Sequence, residues 1–175
     1  MRRRTFLRLS AGACVTAPLV GCGSSAASER LTLDSMLAYL TALKGRGTLN
    51  FDGPWPAFAT FTHLAQSVEY AMSGFPQYRS DSFQRWVGQP AFWLFKQAGA
   101  MHHDTAEAIP GAPALDIQQH DPIAINQSID RLMSALTVLN ITSQTQPHFA
   151  YGSLSHDDYM LAQLMHINDH LTLLS

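Results

Sequence analysis

The sequence predicts an all-α protein, a four-helix bundle with a long crossover connection between helices 2 and 3. Three observations lead there. Four stretches space their apolar residues three and four apart, the period of an amphipathic helix. No stretch alternates apolar and polar residues strictly enough to argue for a strand. About 150 residues follow an N-terminal leader, the common size of one domain.

In the first helical stretch Leu33, Met36, Leu37, Leu40 and Leu43 form one stripe, closed by Gly45 and Gly47. The second begins near "DGPWP", where Pro is compatible with a first helical turn. It carries Phe58, Phe61, His63, Leu64, Val68 and Met72, and Gly74 and Pro76 stop it. Asp121-Pro122 opens the third as an N-cap followed by Pro at the first helical position; Ile125, Ile129, Leu132, Leu136 and Leu139 then make a bundle seam. Ser155-His156-Asp157-Asp158 opens the fourth like a capping box, with acidic residues where the helix dipole favours them. Leu161, Leu164, Met165, Ile167 and Leu171 follow.

Residues 78–120 are different. "SFQRWVG", "PAFWLFKQAGAM" and "IPGAPAL" suggest one or two short aromatic helices between Gly and Pro breaks. Structured connections of this length often carry function. Trp55, Trp86 and Trp93 are expected in the core or in a pocket wall.

The first thirty residues read as an address. Arg3-Arg4-Thr5-Phe6-Leu7 fits a twin-arginine export signal, and such segments are set aside before fold reasoning. The apolar run from Leu9 to Val20 would be roughly 18 Å long as a helix, short of the ~20 residues a membrane span needs. Leu19-Val20-Gly21-Cys22 resembles a bacterial lipobox, in which the Cys is diacylated and begins the mature protein. The alternative is a plain signal peptide with Cys22 a bystander. The expected layout is a signal peptide with lipobox over 1–21, a flexible tether over 22–31 and the helical domain over 32–175. Localisation follows: export by the twin-arginine route and lipid anchoring through Cys22 to a periplasm-facing membrane surface.

Arg2, Arg3, Arg4 and Arg8 leave with the signal. Seven of the eleven basic residues then face all thirteen acidic ones, a net charge of −6 with His neutral. Such a domain is not steered toward nucleic acid or anionic lipid. Cys14 also leaves and Cys22 would carry lipid, so a cysteine nucleophile or disulfide in the domain is excluded.

Of the eight histidines, His166 and His170 are four apart, on one face of the last helix. That spacing lets two imidazoles converge on one ion, although exposed polar residues produce it as well. His63 sits in the most apolar helix of the chain, and bundle cores are where facing helices build metal sites. Three neutral nitrogens from two helices would leave a tetrahedral position open for water or substrate. His102-His103-Asp104 in the crossover is expected to be a solvated loop, because adjacent side chains point apart. His148 is expected to hydrogen-bond in the turn before the fourth helix. Glu69, six residues past His63, falls on another side of the helix. Gln66, Ser67 and Tyr70 lie on the His63 side as second partners of a ligand or as pocket residues.

Three stretches resemble the bacterial family called domain of unknown function 1569. "FATFTHLAQSVEYAMSGFP" is similar to its His-Leu-Ala-Gln-Ser-type helix ending in Gly-Phe-Pro. "IPGAPAL" resembles its Pro-Gly-Ala-Pro segment, and "PHFAYGSLSHDDYMLAQLMHINDHLTLL" resembles its closing turn and helix. The likeness runs over roughly residues 33–174. That family is similar to the DinB-like proteins, four-helix bundles in which one His of helix 2 and a His-x3-His pair of the last helix hold a divalent metal. The resemblance implies His63, His166 and His170 as metal ligands. One departure stands out: where the family tends to have His-Pro-Phe-Phe-Gly, this chain has His148-Phe149-Ala150-Tyr151-Gly152.

Two functions are consistent with this reading. One is a metal-dependent hydrolase or transferase of unassigned substrate, its divalent ion zinc, nickel, iron or copper, which imidazole ligands do not distinguish. The DinB-like relatives include thiol-dependent transferases and isomerases, but the domain supplies no thiol of its own. The other is a non-enzymatic, lipid-anchored binding module for a small ligand or a partner protein.

Overall fold

The computed structural model describes residues 30–46 and 48–175. The expected export signal with Arg3 and Arg4, the expected lipidation site Cys22, and Gly47 lie outside them. All regular structure among the described residues is helical.

Helix α1 (Leu33–Lys44) starts where the Thr32 side chain accepts a hydrogen bond from the Ser35 amide, and it buries Met36, Leu40 and Leu43. Helix α2 (Ala57–Ser73) begins after Pro56, whose carbonyl accepts from the Thr60 amide at 3.0 Å. It ends at Gly74, where φ is +95° and a side chain would be strained. A continuous helical stretch follows: α3 (Asp81–Phe83), a π-helical turn (Gln84–Gly88) and α4 (Gln89–Ala98). The apolar spacing does not announce the π turn. Helix α5 (Pro122–Ile141) has the expected start, with the Asp121 carboxylate accepting from the Ile123 amide. Helix α6 (His156–Leu171) is capped by Ser155, which accepts from the Asp158 amide.

Packing follows the apolar stripes. Helix α2 lies along α5, α1 also rests on α5, and α6 contacts both α2 and α4. Met36, Leu40, Phe61, Leu64, Ile129, Leu132, Leu136 and Ile167 meet in one core, all of them fully buried. Each such side chain stabilises the fold by about 1.5–3 kcal/mol. A smaller cluster of Phe92, Met101, Ala162 and Met165, with Leu31 and Phe95 against it, seats α4 on α6.

The segment between α2 and α5 is also clamped to the turn before α6. The Arg79 amide and the Gln84 side-chain amide both donate to the Phe149 carbonyl, at 3.0 and 3.1 Å. A Cβ on Gly88 would stand 1.8 Å from the Ala150 carbonyl oxygen, so only glycine permits this approach. His148 and Gly152 exchange backbone hydrogen bonds, and Gly152, at φ +74°, closes the turn that has no proline.

The tryptophans need a correction. Trp86 and Trp93 are neither core nor pocket wall; they are 75 % and 59 % exposed. The inner side of their helix is taken by Gly88, Phe92 and Phe95, at spacings of four and three, so the two indoles project from the other side. No described helix is long and apolar enough to cross a membrane.

Candidate metal centre

His63 lies midway along α2 and faces the last two turns of α6, where His166 and His170 stand one above the other. One nitrogen from each of the three falls within 4.8 Å of the others. The Nε2 atoms of His63 and His166 are 3.3 Å apart. Ring centroids are separated by 5.2 Å for His63–His166, 5.1 Å for His63–His170 and 5.0 Å for His166–His170. His63 and His170 are almost wholly buried, and the Nδ1 of His63 and Nε2 of His170 have no hydrogen-bond partner.

Burial governs the electrostatics. Loss of water drives His63 down to about 4 and His170 to about 3, and the charge of neighbouring imidazoles pushes each the same way. His166 is lowered well below its ordinary value by the same two effects. The trio is therefore neutral at pH 7, the protonation state in which imidazole binds metals.

A fourth imidazole stands beside the three. His103, predicted to be part of a solvated loop, is instead packed against His166 and His170 with ring centroids 4.8 and 5.1 Å away. The reason is Asp169, a buried carboxylate adjacent to His170. Its Oδ2 lies 2.8 Å from His103 Nδ1 and also accepts the His103 amide at 3.3 Å, while Oδ1 is 3.1 Å from His102 Nδ1. The two neighbouring histidines do point apart, but both turn their Nδ1 to one carboxylate. Burial alone would raise the Asp169 carboxyl; the close His103 ring, the His103 amide and His102 hold it below its ordinary value. Asp104 remains outside, exposed and bonded to the Ala106 amide.

The other sequence-selected residues distribute as follows. Ser67 donates to Gln163 Oε1 at 3.1 Å, and Gln163 returns a bond to the Ser67 carbonyl at 3.3 Å, joining α2 to α6. Gln66 is buried on α2, and Tyr70 lays its ring against Phe75. Glu69 leaves the site and pairs with Arg131 through two bonds of 2.7 and 2.6 Å. His148 Nδ1 accepts from the amides of Ala150 and Tyr151, the turn role expected of it, and burial lowers it to about 3. Trp55 covers the trio, 4.8 Å from His63 and stacked at 6.0 Å on His170. A cavity of about 170 Å³ opens onto His63, His103 and His166, with Ser67, Gln163 and Tyr151 among its walls and Arg79 and Glu107 also lining it. Asp169 and His103 are the site residues that sequence reasoning missed. The available signal was an acidic residue inside the His-x3-His segment, next to a candidate ligand.

A family model described as "Protein of unknown function (DUF1569)" matches residues 28–175. No curated protein and no solved structure gives a match.

Proposed function

Since the chain belongs to the DUF1569 family, whose description assigns no activity, we propose from the site itself that the protein is a divalent-metal hydrolase. The observation that carries this reading is the convergence of three neutral, buried imidazoles whose ligand atoms lie within 4.8 Å of one another. The 3.3 Å between His63 Nε2 and His166 Nε2 equals the edge of a tetrahedron with bonds of roughly 2.0–2.1 Å, the usual metal–imidazole length. Buried imidazole nitrogens without partners are costly unless something binds them, and His170 Nε2 is such an atom.

In this proposal His63, His166 and His170 hold the ion, and a set of three protein ligands leaves one position free. A bound divalent ion supplies Lewis acidity toward a carbonyl or phosphoryl oxygen. The chain's own residues do the rest. Asp169 holds His103 beside the trio by accepting its backbone amide, with the ring Nδ1 2.8 Å from the same carboxylate. Ser67 and Gln163 hold α2 and α6 in register, and Trp55 covers the site on one side. The fold proposed for this arrangement is the DinB-like four-helix bundle formed by α1, α2, α5 and α6, with residues 78–120 as its crossover.

The proposed location is the periplasm-facing membrane surface, reached by twin-arginine export and held through lipid on Cys22. That route carries proteins already folded, so an ion could be inserted before export. It also favours hydrolysis over thiol-dependent transfer, since low-molecular-weight thiols act mainly in the cytoplasm.

The test is metal stoichiometry of the purified chain, wild type against His166→Ala. About one ion per wild-type chain is expected, lost in the variant while helical content is retained. Equal metal content in the two proteins would end the proposal. A metal-loaded chain inert toward ester, amide and phosphate substrates would leave the ion in place and remove the hydrolase.

A further inference from the structure

The helical stretch from α3 to α4 carries both of its tryptophans on the side away from the core. Trp86, Val87, Trp93 and Leu94 are 75 %, 51 %, 59 % and 59 % exposed. Trp86 and Trp93 are seven apart, as are Val87 and Leu94, so all four share one outward stripe. A stripe of this kind with tryptophans marks a helix that lies in a membrane interface, where the indole is half in hydrocarbon and half in water. Arg85 stands over the Trp86 ring at 5.9 Å.

Leu31, at the N-terminal end of the described residues, packs into the cluster that contains Phe92 of α4. The tether therefore enters the domain beside the helix whose far side is apolar. Only seven residues lie between Cys22 and Arg30, a reach over those eight steps of at most roughly 26–29 Å when fully extended. A lipid on Cys22 would hold the outer side of α4 within a short distance of the bilayer.

We infer that the α3–α4 stripe is a membrane-seating surface that inserts Trp86 and Trp93 into the interface of the bilayer to which Cys22 is anchored. The inference rests on the lipid-anchor reading. The proposed occupant is the apolar interface rather than an anionic headgroup layer, because a domain with a charge of −6 after signal removal gains nothing from negative lipid.

The experiment uses the full chain purified from membranes and returned to zwitterionic phosphatidylcholine vesicles whose acyl chains carry bromine, a contact quencher of indole. Flotation reads the anchor, and quenching of tryptophan emission reads the seating. Wild type is expected to float and to lose most of the emission of its two exposed tryptophans. The Trp86→Ser/Trp93→Ser variant should float while its remaining emission stays unquenched. Val87→Gln/Leu94→Gln keeps both fluorophores and should reduce their quenching. A wild-type chain that floats unquenched overturns the seating and leaves the anchor intact; one that does not float overturns both. A wild-type dimer that Trp86→Ser converts to monomer would assign the stripe to a second copy and also overturn the inference.

Discussion

The Nδ1 atom of His103 lies 2.8 Å from Oδ2 of Asp169, which ties the irregular segment between α4 and α5 to the last turn of α6. The contact joins residues distant in sequence and places a carboxylate–imidazole pair beside three further imidazoles.

Asp169→Asn tests that tie. The substitution keeps size and removes the charge that receives His102, His103 and a backbone amide. Hydrogen bonds to a charged group contribute about 1.5–3 kcal/mol, and a loss of about 2 kcal/mol is expected in denaturant unfolding. Limited proteolysis should also find residues 99–108 first in the variant. Equal stability together with an unchanged cleavage pattern would show that the segment is held by something else.

Much of the framework was readable in advance. Leu132, Leu136 and Leu139 repeat at the period of a helix whose neighbours cover one side, and Asp121 and Ser155 announce helix starts through short-range hydrogen bonds. His63, His166 and His170 were legible because two of them share a helical face and the third interrupts an apolar one. His103 was not. It lies between Gly99 and Pro110 with no periodicity around it, and its direction is fixed by a carboxylate 66 residues away. Trp86 and Trp93 were misread because bulky aromatics are usually inside; the inward spacing of Gly88, Phe92 and Phe95 was the better guide.

The buried histidines make the metal-free protein sensitive to acid. His63 is held at about 4, and His148 and His170 at about 3, against an ordinary value of 6.5. These groups stay neutral in the folded state while the unfolded chain takes up protons below 6.5, so stability rises with pH through that window. It is complete above about 6.5 and is lost as pH falls toward 4, at up to about 1.4 kcal/mol per pH unit for each histidine. Chelator-treated protein should therefore melt markedly lower at pH 5 than at pH 7. A melting temperature unchanged between these two values would contradict the burial of the cluster.

Two glycines should respond in opposite directions. Gly88→Ala drives a methyl group into the Ala150 carbonyl oxygen, and overpacking of this kind costs about 1–3 kcal/mol. Gly45 has φ −84° and open space around its Cβ position. Gly45→Ala should stabilise by about 0.4–1 kcal/mol by restricting the unfolded chain. Thermal denaturation of the two variants checks both signs, and an equally tolerated Gly88→Ala would mean that α4 is not locked to the turn.

Trp55 has a use beyond covering the trio. Its indole is stacked on the His170 ring and lies 4.8 Å from that of His63, within range for an open-shell cation held by those rings to drain its excited state. Once the two solvent-facing indoles are replaced, it is the sole remaining tryptophan of the chain. Its brightness then becomes an intrinsic optical gauge of loading: nickel or copper would darken it and zinc would leave it lit, which separates occupancy from the identity of the occupant in one titration.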